Sequence, residues 1–224
     1  MSDTPSAPKP HPRDWRISLA LAGAVLAVYW QVGWFQSVGY DDPGYIAVHP
    51  EVTDGLSVAG VRWAFSSIEM NNWQPLVWLS YMLDVSLFGP GNAAHHLVNV
   101  VLHVANTILL FLVLKRMTGA RWPSAVVAAL FALHPLHVES VAWISERKDV
   151  LSTLFWMLTM GAYARYAARP SLGRYVPVLA GLALGLMAKP MLVTLPFVLL
   201  LTSSIFSPCT NLSRPRRMAS STWA

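Results

Sequence analysis

One cysteine, Cys209, stands among 224 residues. That count excludes an intramolecular disulfide and any zinc site built from several thiolates. Charge is also scarce. Only 12% of the chain is Asp, Glu, Lys or Arg, against about 25% in soluble domains. No HExxH metalloprotease motif occurs, and no metal is expected. The chain carries 16 basic and 11 acidic residues, but the basic ones are scattered between apolar runs. A nucleic-acid partner would need them gathered on one face, so none is expected. What remains is apolar: 54% of residues are hydrophobic. Such a composition predicts an all-α, polytopic membrane protein.

The apolar runs set the organisation. Residues 1–16, with Pro5, Pro8, Pro10 and Pro12, predict a disordered cytoplasmic tail. The run from Ile17 to Phe35 is too long for a signal-peptide core and its flank lacks a clear A-x-A site, so it is expected to stay as a first span. Further spans are expected at 95–116, at 122–143 with an end near His134-Pro135, and at 150–167. The run 175–201 carries Lys189-Pro190, a charge beside a helix breaker, and predicts two shorter spans meeting at a turn. About six transmembrane helices result, over residues 17–201. The outer loop 37–94 is expected to hold interfacial helices, one of them capped by Asp54 and one over residues 74–89. The segment 202–224 is polar, basic and atypical, and is expected to be disordered or an out-of-frame tail.

Charge placement tests this topology. With the N-terminus cytoplasmic, Lys9, Arg13, Arg16, Lys115, Arg116, Arg121, Arg165, Arg169, Arg174, Arg214, Arg216 and Arg217 all fall inside. Only Arg62, Arg147, Lys148 and Lys189 fall outside, as the positive-inside rule requires. Of the acids, only Asp3 and Asp14 fall inside.

Three outer segments carry the candidate chemistry. Asp41 and Asp42 stand where the chain leaves the first span. They serve either as part of a solvated Asp-Pro-Gly turn or as a carboxylate base at the interface. The stretch 134–149 holds His134, His137, Glu139, Glu146, Arg147, Lys148 and Asp149. It is either an ion-paired loop or an anion site in which Arg147 and Lys148 hold a phosphate. A metal site at His134, His137 and Glu139 is the weaker alternative, because Pro135 disturbs the helix. Lys189 is either a snorkelling lysine or a third cation facing the same outer cavity. Asn99, His103 and Asn106 form a polar stripe at helical spacing and are expected to join helices. His95 and His96 begin the same run.

The stretches "GYDDPGY", "GVRWAF", "WLSYMLDVSLFG", "HHLVNVVLHVANTIL", "ALFALHPLHVESVAWISERKDVLSTLFW" and "GLMAKPMLVTLPFVLLL" resemble the N-terminal membrane half of bacterial tetratricopeptide-repeat membrane proteins of the GT-C glycosyltransferase type, related to protein O-mannosyltransferases. The resemblance covers about residues 15–201. It implies a partial GT-C fold and inverting transfer of a sugar from a polyprenyl-phosphate donor to a hydroxyl on a protein or glycan acceptor. No cofactor is implied beyond that lipid-linked substrate. It also implies a bacterial inner membrane with the site facing the periplasm or exterior.

On this resemblance Asp41 and Asp42 are the catalytic pair, with Asp42 slightly favoured as base. Arg147, Lys148 and Lys189 are then donor-phosphate ligands, and His134, His137 and Glu139 are acceptor or donor contacts. The chain departs from the resemblance in two respects. Gln74 stands where a histidine is expected, and no 34-residue helical repeat follows the spans, so a truncated enzyme is expected. A non-catalytic membrane anchor or scaffold is the alternative, and a transporter ranks below it.

Overall fold

The computed structural model describes residues 14–202. Most of both expected tails, 1–16 and 202–224, and Cys209 lie outside the described residues. All regular structure among the described residues is helical.

Helix α1 (Asp14–Tyr29) begins three residues before the expected Ile17 and runs on into a 3-10 turn, Trp30–Trp34. Its acidic start has a use. Asp14 is buried and pairs with Lys115 and with Arg121, whose Nε lies 3.2 Å from Oδ1. Four short helices follow: α2 (Asp42–Ile46), α3 (Pro50–Thr53), α4 (Val58–Ser66) and α5 (Pro75–Phe88). Helix α4 is capped by Ser57, whose hydroxyl accepts the Gly60 N–H at 3.0 Å. The expected cap, Asp54, instead closes α3. A serine with extended backbone suits the N-cap, whereas Asp54 has helical backbone angles.

The long helix α6 (Asn92–Thr118) contains the expected span 95–116. It ends at Gly119, which has a φ of 72°, a left-handed conformation that favours glycine. Helix α7 (Arg121–Leu133) stops at His134-Pro135 as expected. Then come α8 (His137–Ala142), a 3-10 turn Ile144–Glu146, and α9 (Arg147–Ala168). Helix α10 (Leu172–Leu186), a 3-10 turn Pro190–Thr194 and α11 (195–202) complete the chain, with the expected break at Lys189-Pro190. Two stretches, Asp14–Trp34 and Asn92–Thr118, are long and apolar enough to cross a membrane; Arg121–Leu133, Leu172–Leu186 and Pro190–Thr202 are shorter apolar segments.

Helix α6 is the axis of the assembly and packs against α1, α7, α8 and α9. Asp14, Lys115 and Arg121 meet at one end, and Tyr166 and Tyr175 close the α9–α10 connection with ring centroids 5.3 Å apart. At the opposite end the starts of α6 and α9 converge on α5. Helix α5 does not lie on a free surface: Trp78, Tyr81 and Met82 are fully buried, against a cluster containing Tyr45, Ala64, Ile144 and Ala188. Those aromatic side chains fill a core that loop and helix bundle share. Close approach explains Gly185. A Cβ there would overlap the Leu192 side chain and come within 3.2 Å of Phe155, so only glycine lets α10 meet both α9 and the 190–194 turn.

Candidate functional site

The two adjacent acids face different surroundings. Asp42 is fully buried: its Oδ1 accepts the Ser145 N–H at 2.9 Å and its Oδ2 accepts the Val38 N–H at 2.7 Å. It therefore fastens the start of the outer loop to the 144–146 turn, 103 residues away. Asp41 is half-buried, and its side chain does not cap α2. Beside it, Tyr40 is 80% exposed, its ring 6.4 Å from that of Trp143. Of the pair, Asp41 is the one an incoming molecule can reach.

The 143–147 segment that carries Asp42's support is itself clamped. Asn99 Nδ2 donates to Trp143 O at 2.9 Å, and the Tyr81 hydroxyl donates to Ile144 O at 2.7 Å. Arg147 follows directly and is fully buried. Its Nη2 donates to Asp84 Oδ2 and to His95 O, each at 2.8 Å, and its Nε donates to Asn99 Oδ1. Ser80 accepts a longer bond from Nη1, at 3.3 Å, and the Tyr81 ring lies 5.1 Å from the guanidinium carbon. His95 Nδ1 completes the network at 2.9 Å from Asp84 Oδ2. All of Arg147's nitrogens thus have partners inside the protein, and Asp84 compensates its charge.

Lys148, one residue on, points elsewhere. It pairs with Glu146 at 2.9 Å and sits 5.4 Å from the centroid of the Tyr45 ring. Lys189 pairs with Asp149, which also accepts from Ser140 Oγ at 3.1 Å. The three expected phosphate ligands thus occupy three separate environments, each with a carboxylate partner.

The expected contacts His134, His137 and Glu139 also part company. His134 is exposed beside an apolar surface hollow with Leu130 and Pro135. Glu139 borders a second hollow with Phe35, His96 and Trp143. His137 alone faces a cavity of about 250 Å³ between α6, α8, α9 and the 190–194 turn, which Lys189, Asp149, Phe131 and Trp156 also line. Burial lowers the His137 pKa, and nearby His134 adds to that, against a smaller opposing effect of Asp149. Among the described residues no group of three or more His, Cys, Asp or Glu is placed to hold a metal.

The polar stripe of α6 joins helices. His103 Nε2 donates to Ala132 O at 3.1 Å, and Asn106 Nδ2 donates to Val150 O at 2.8 Å. Sequence reasoning passed over Asp84. The available sign was a lone acid inside the apolar stretch 74–89, which demands a partner when buried.

The described residues thus form a helical protein with two stretches long and apolar enough to cross a membrane, a carboxylate pair near one end and a buried ionic clamp close by. The family model described as dolichyl-phosphate-mannose-protein mannosyltransferase matches residues 74–219, and the chain belongs to that family. The matched stretch includes Asp84, Arg147, Lys148 and Lys189 and begins after Asp41 and Asp42.

Among curated relatives, the chain is 33% identical over 134 residues to protein O-mannosyl-transferase Tmtc1 of Drosophila melanogaster, covering 57% of this chain and 16% of the relative. It is 33% identical over 153 residues to the TMTC1 protein of Mus musculus, covering 63% and 16%. To human TMTC3 it is 26% identical over 152 residues, covering 65% and 16%. The chain thus spans about one sixth of the length of these relatives. No solved structure matches.

Proposed function

We propose that the chain is the acceptor-facing part of a membrane mannosyltransferase that moves a sugar from a polyprenyl-phosphate donor to a hydroxyl group. The observation that carries this reading is the division of labour at residues 41 and 42. Asp42 is a buried anchor bonded to two backbone amides, and it leaves the adjacent Asp41 presented at the surface. Asp41 is the base. It takes the proton of an acceptor hydroxyl as that oxygen attacks the anomeric carbon; the bond from that carbon to the phosphate oxygen breaks, and the lipid phosphate leaves with inversion. Lys148 and Lys189, both partly exposed, are the cations at which the phosphate exchanges with their carboxylate partners. Arg147 positions the segment that supports Asp42.

In this reading the helices 14–34, 92–118, 121–133, 147–168, 172–186 and 190–202 are six spans. The end holding Lys115 and Arg121 is cytoplasmic, and the Asp41 end faces outward, as the charge distribution supports. The relatives are named protein O-mannosyl-transferases, which favours a protein as the acceptor.

The test is sugar transfer by membranes carrying the chain, from polyprenyl-phosphate mannose to a hydroxyl-bearing peptide. Transfer that Asp41→Asn abolishes supports the reading. Absence of transfer by the wild type overturns it. The second reading, a non-catalytic scaffold, then takes its place; the internal pairing of Arg147, Lys148 and Lys189 favours it.

A further inference from the structure

We propose that the hollow bordered by Glu139 and Trp143 seats a Lys or Arg side chain of the acceptor polypeptide, close to the residue whose hydroxyl meets Asp41. This rests on the transferase reading above and adds a preference among acceptors that the relatives' names leave open. The hollow measures about 250 Å³. That is below the range of about 300–1,000 Å³ that drug-sized ligands fill, so it takes one side chain and not a whole ligand.

Its walls suit a side chain with a long apolar stem. Phe35, Val38, Val138, Ala142 and Trp143 line it, and Glu139 borders it. A lysine or arginine lays its methylenes along such a surface and keeps its charged head toward water. Glu139 offers that head a partner. It is exposed, and its carboxylate makes no ion pair among the described residues. The other acids nearby in sequence are taken, Glu146 by Lys148 and Asp149 by Lys189. No Lys or Arg lines the hollow, so an acidic side chain or a phosphate finds no counter-charge there.

Charge over that end of the molecule points the same way. Asp41, Glu51, Asp54 and Glu69 likewise make no salt bridge among the described residues. Arg147, Lys148 and Lys189 are each held by a carboxylate, which leaves Arg62 as the unpaired cation of the outer segments. A surface with this balance draws in basic polypeptides and turns acidic ones away.

Geometry joins the hollow to Asp41. Val38 in its wall donates its N–H to Asp42 at 2.7 Å, and the Tyr40 N–H donates to Val38 O at 2.8 Å. Tyr40 adjoins Asp41, and its ring lies 6.4 Å from that of Trp143 in the wall. An extended peptide rises about 3.3 Å per residue, so side chains on one face recur every ~6.6 Å. That is one step across the Tyr40–Trp143 pair. The cationic residue therefore stands two positions from the Ser or Thr, and its head passes aromatic faces that attract cations.

The experiment uses the full chain in phosphatidylcholine nanodiscs, whose uncharged surface does not itself collect basic peptides. Three labelled peptides carry one Thr and, two positions away, Lys, norleucine or Glu; anisotropy reads their binding. Norleucine keeps the stem and lacks the charge. The Lys peptide is expected to bind about three- to fivefold tighter than the norleucine peptide, the scale of one partly exposed ion pair, and the Glu peptide weakest. The advantage is expected to shrink as salt is raised, to vanish in Glu139→Gln and to pass to the Glu peptide in Glu139→Lys. Melting curves check that both variants fold. Equal binding of the Lys and norleucine peptides makes the hollow a plain apolar groove and overturns the proposal. So does a lysine preference that survives in Glu139→Gln, or binding of none of the peptides. If the lysine preference is absent while Asp41→Asn still abolishes transfer, only this subsite is lost. If the Lys peptide binds as expected but the wild type transfers no sugar, only the enzyme reading is lost.

Discussion

Arg147 donates to Asp84 at 2.8 Å across 63 residues of sequence, and the arginine has no exposed surface at all. A guanidinium in that position holds structure first. Arg147→Ala leaves Asp84 and Asn99 as buried groups without their partner, which is expected to cost about 3–5 kcal/mol. Thermal unfolding in detergent measures it. The double variant Arg147→Met with Asp84→Leu removes both charges and is expected to recover most of that loss. If Arg147→Ala melts like the wild type and only weakens donor binding, the arginine is a phosphate ligand and the clamp is not needed.

The neighbouring acids are expected to behave oppositely. Asp42→Asn places an amide where two backbone N–H donors already point, and one of those donors loses its acceptor, at about 1–3 kcal/mol. Asp41→Asn touches no bond of that kind and leaves the melting temperature unchanged. Hydrogen exchange at Val38 and Ser145 reports the difference directly: faster in Asp42→Asn, unaltered in Asp41→Asn. Equal protection in both variants removes the anchor role of Asp42.

Much of this was legible because short-range rules govern it. The break at His134-Pro135, the turn at Lys189-Pro190 and the inward stripe of Asn99, His103 and Asn106 all follow from proline chemistry and from the helical repeat. The division between Asp41 and Asp42 was not, because consecutive residues differ only through what the fold brings up to them. The same holds at Arg147 and Lys148: adjacent positions on α9 point to different sides, and only Asp84 on α5 decides which is buried. The choice of Ser57 over Asp54 as helix cap depended on which of two nearby acceptors has extended backbone, a matter of angles absent from composition.

Packing gives a third expectation at Gly185. Alanine there must displace Leu192 from contact with α10, and leucine must also displace Phe155. Gly185→Ala is expected to lower stability by about 1–3 kcal/mol, and Gly185→Leu by more. Both melts compare with Gly173→Ala, where a Cβ meets nothing within 4 Å. Equal melting of the three variants denies the close approach of the 190–194 turn.

The last expectation concerns pH. His137 on α8 faces His134, the His103 ring of α6 and Asp149 of α9, and its pKa is lowered chiefly by burial. The unfolded chain therefore takes up this proton at a higher pH than the folded chain does, near about 6.5. Above that pH both states are neutral there, and the stability is fully present. As pH falls through and below it, the unfolded state binds the proton first and stability declines until the folded pKa is passed. His137→Phe keeps an aromatic ring beside Phe131 and removes the proton site. Between pH 7 and pH 5 its melting temperature is expected to fall less than that of the wild type. A wild-type curve as flat as that of the variant would mean that His137 does not remain neutral as the protein acidifies, and the cavity it lines would then carry positive charge at low pH.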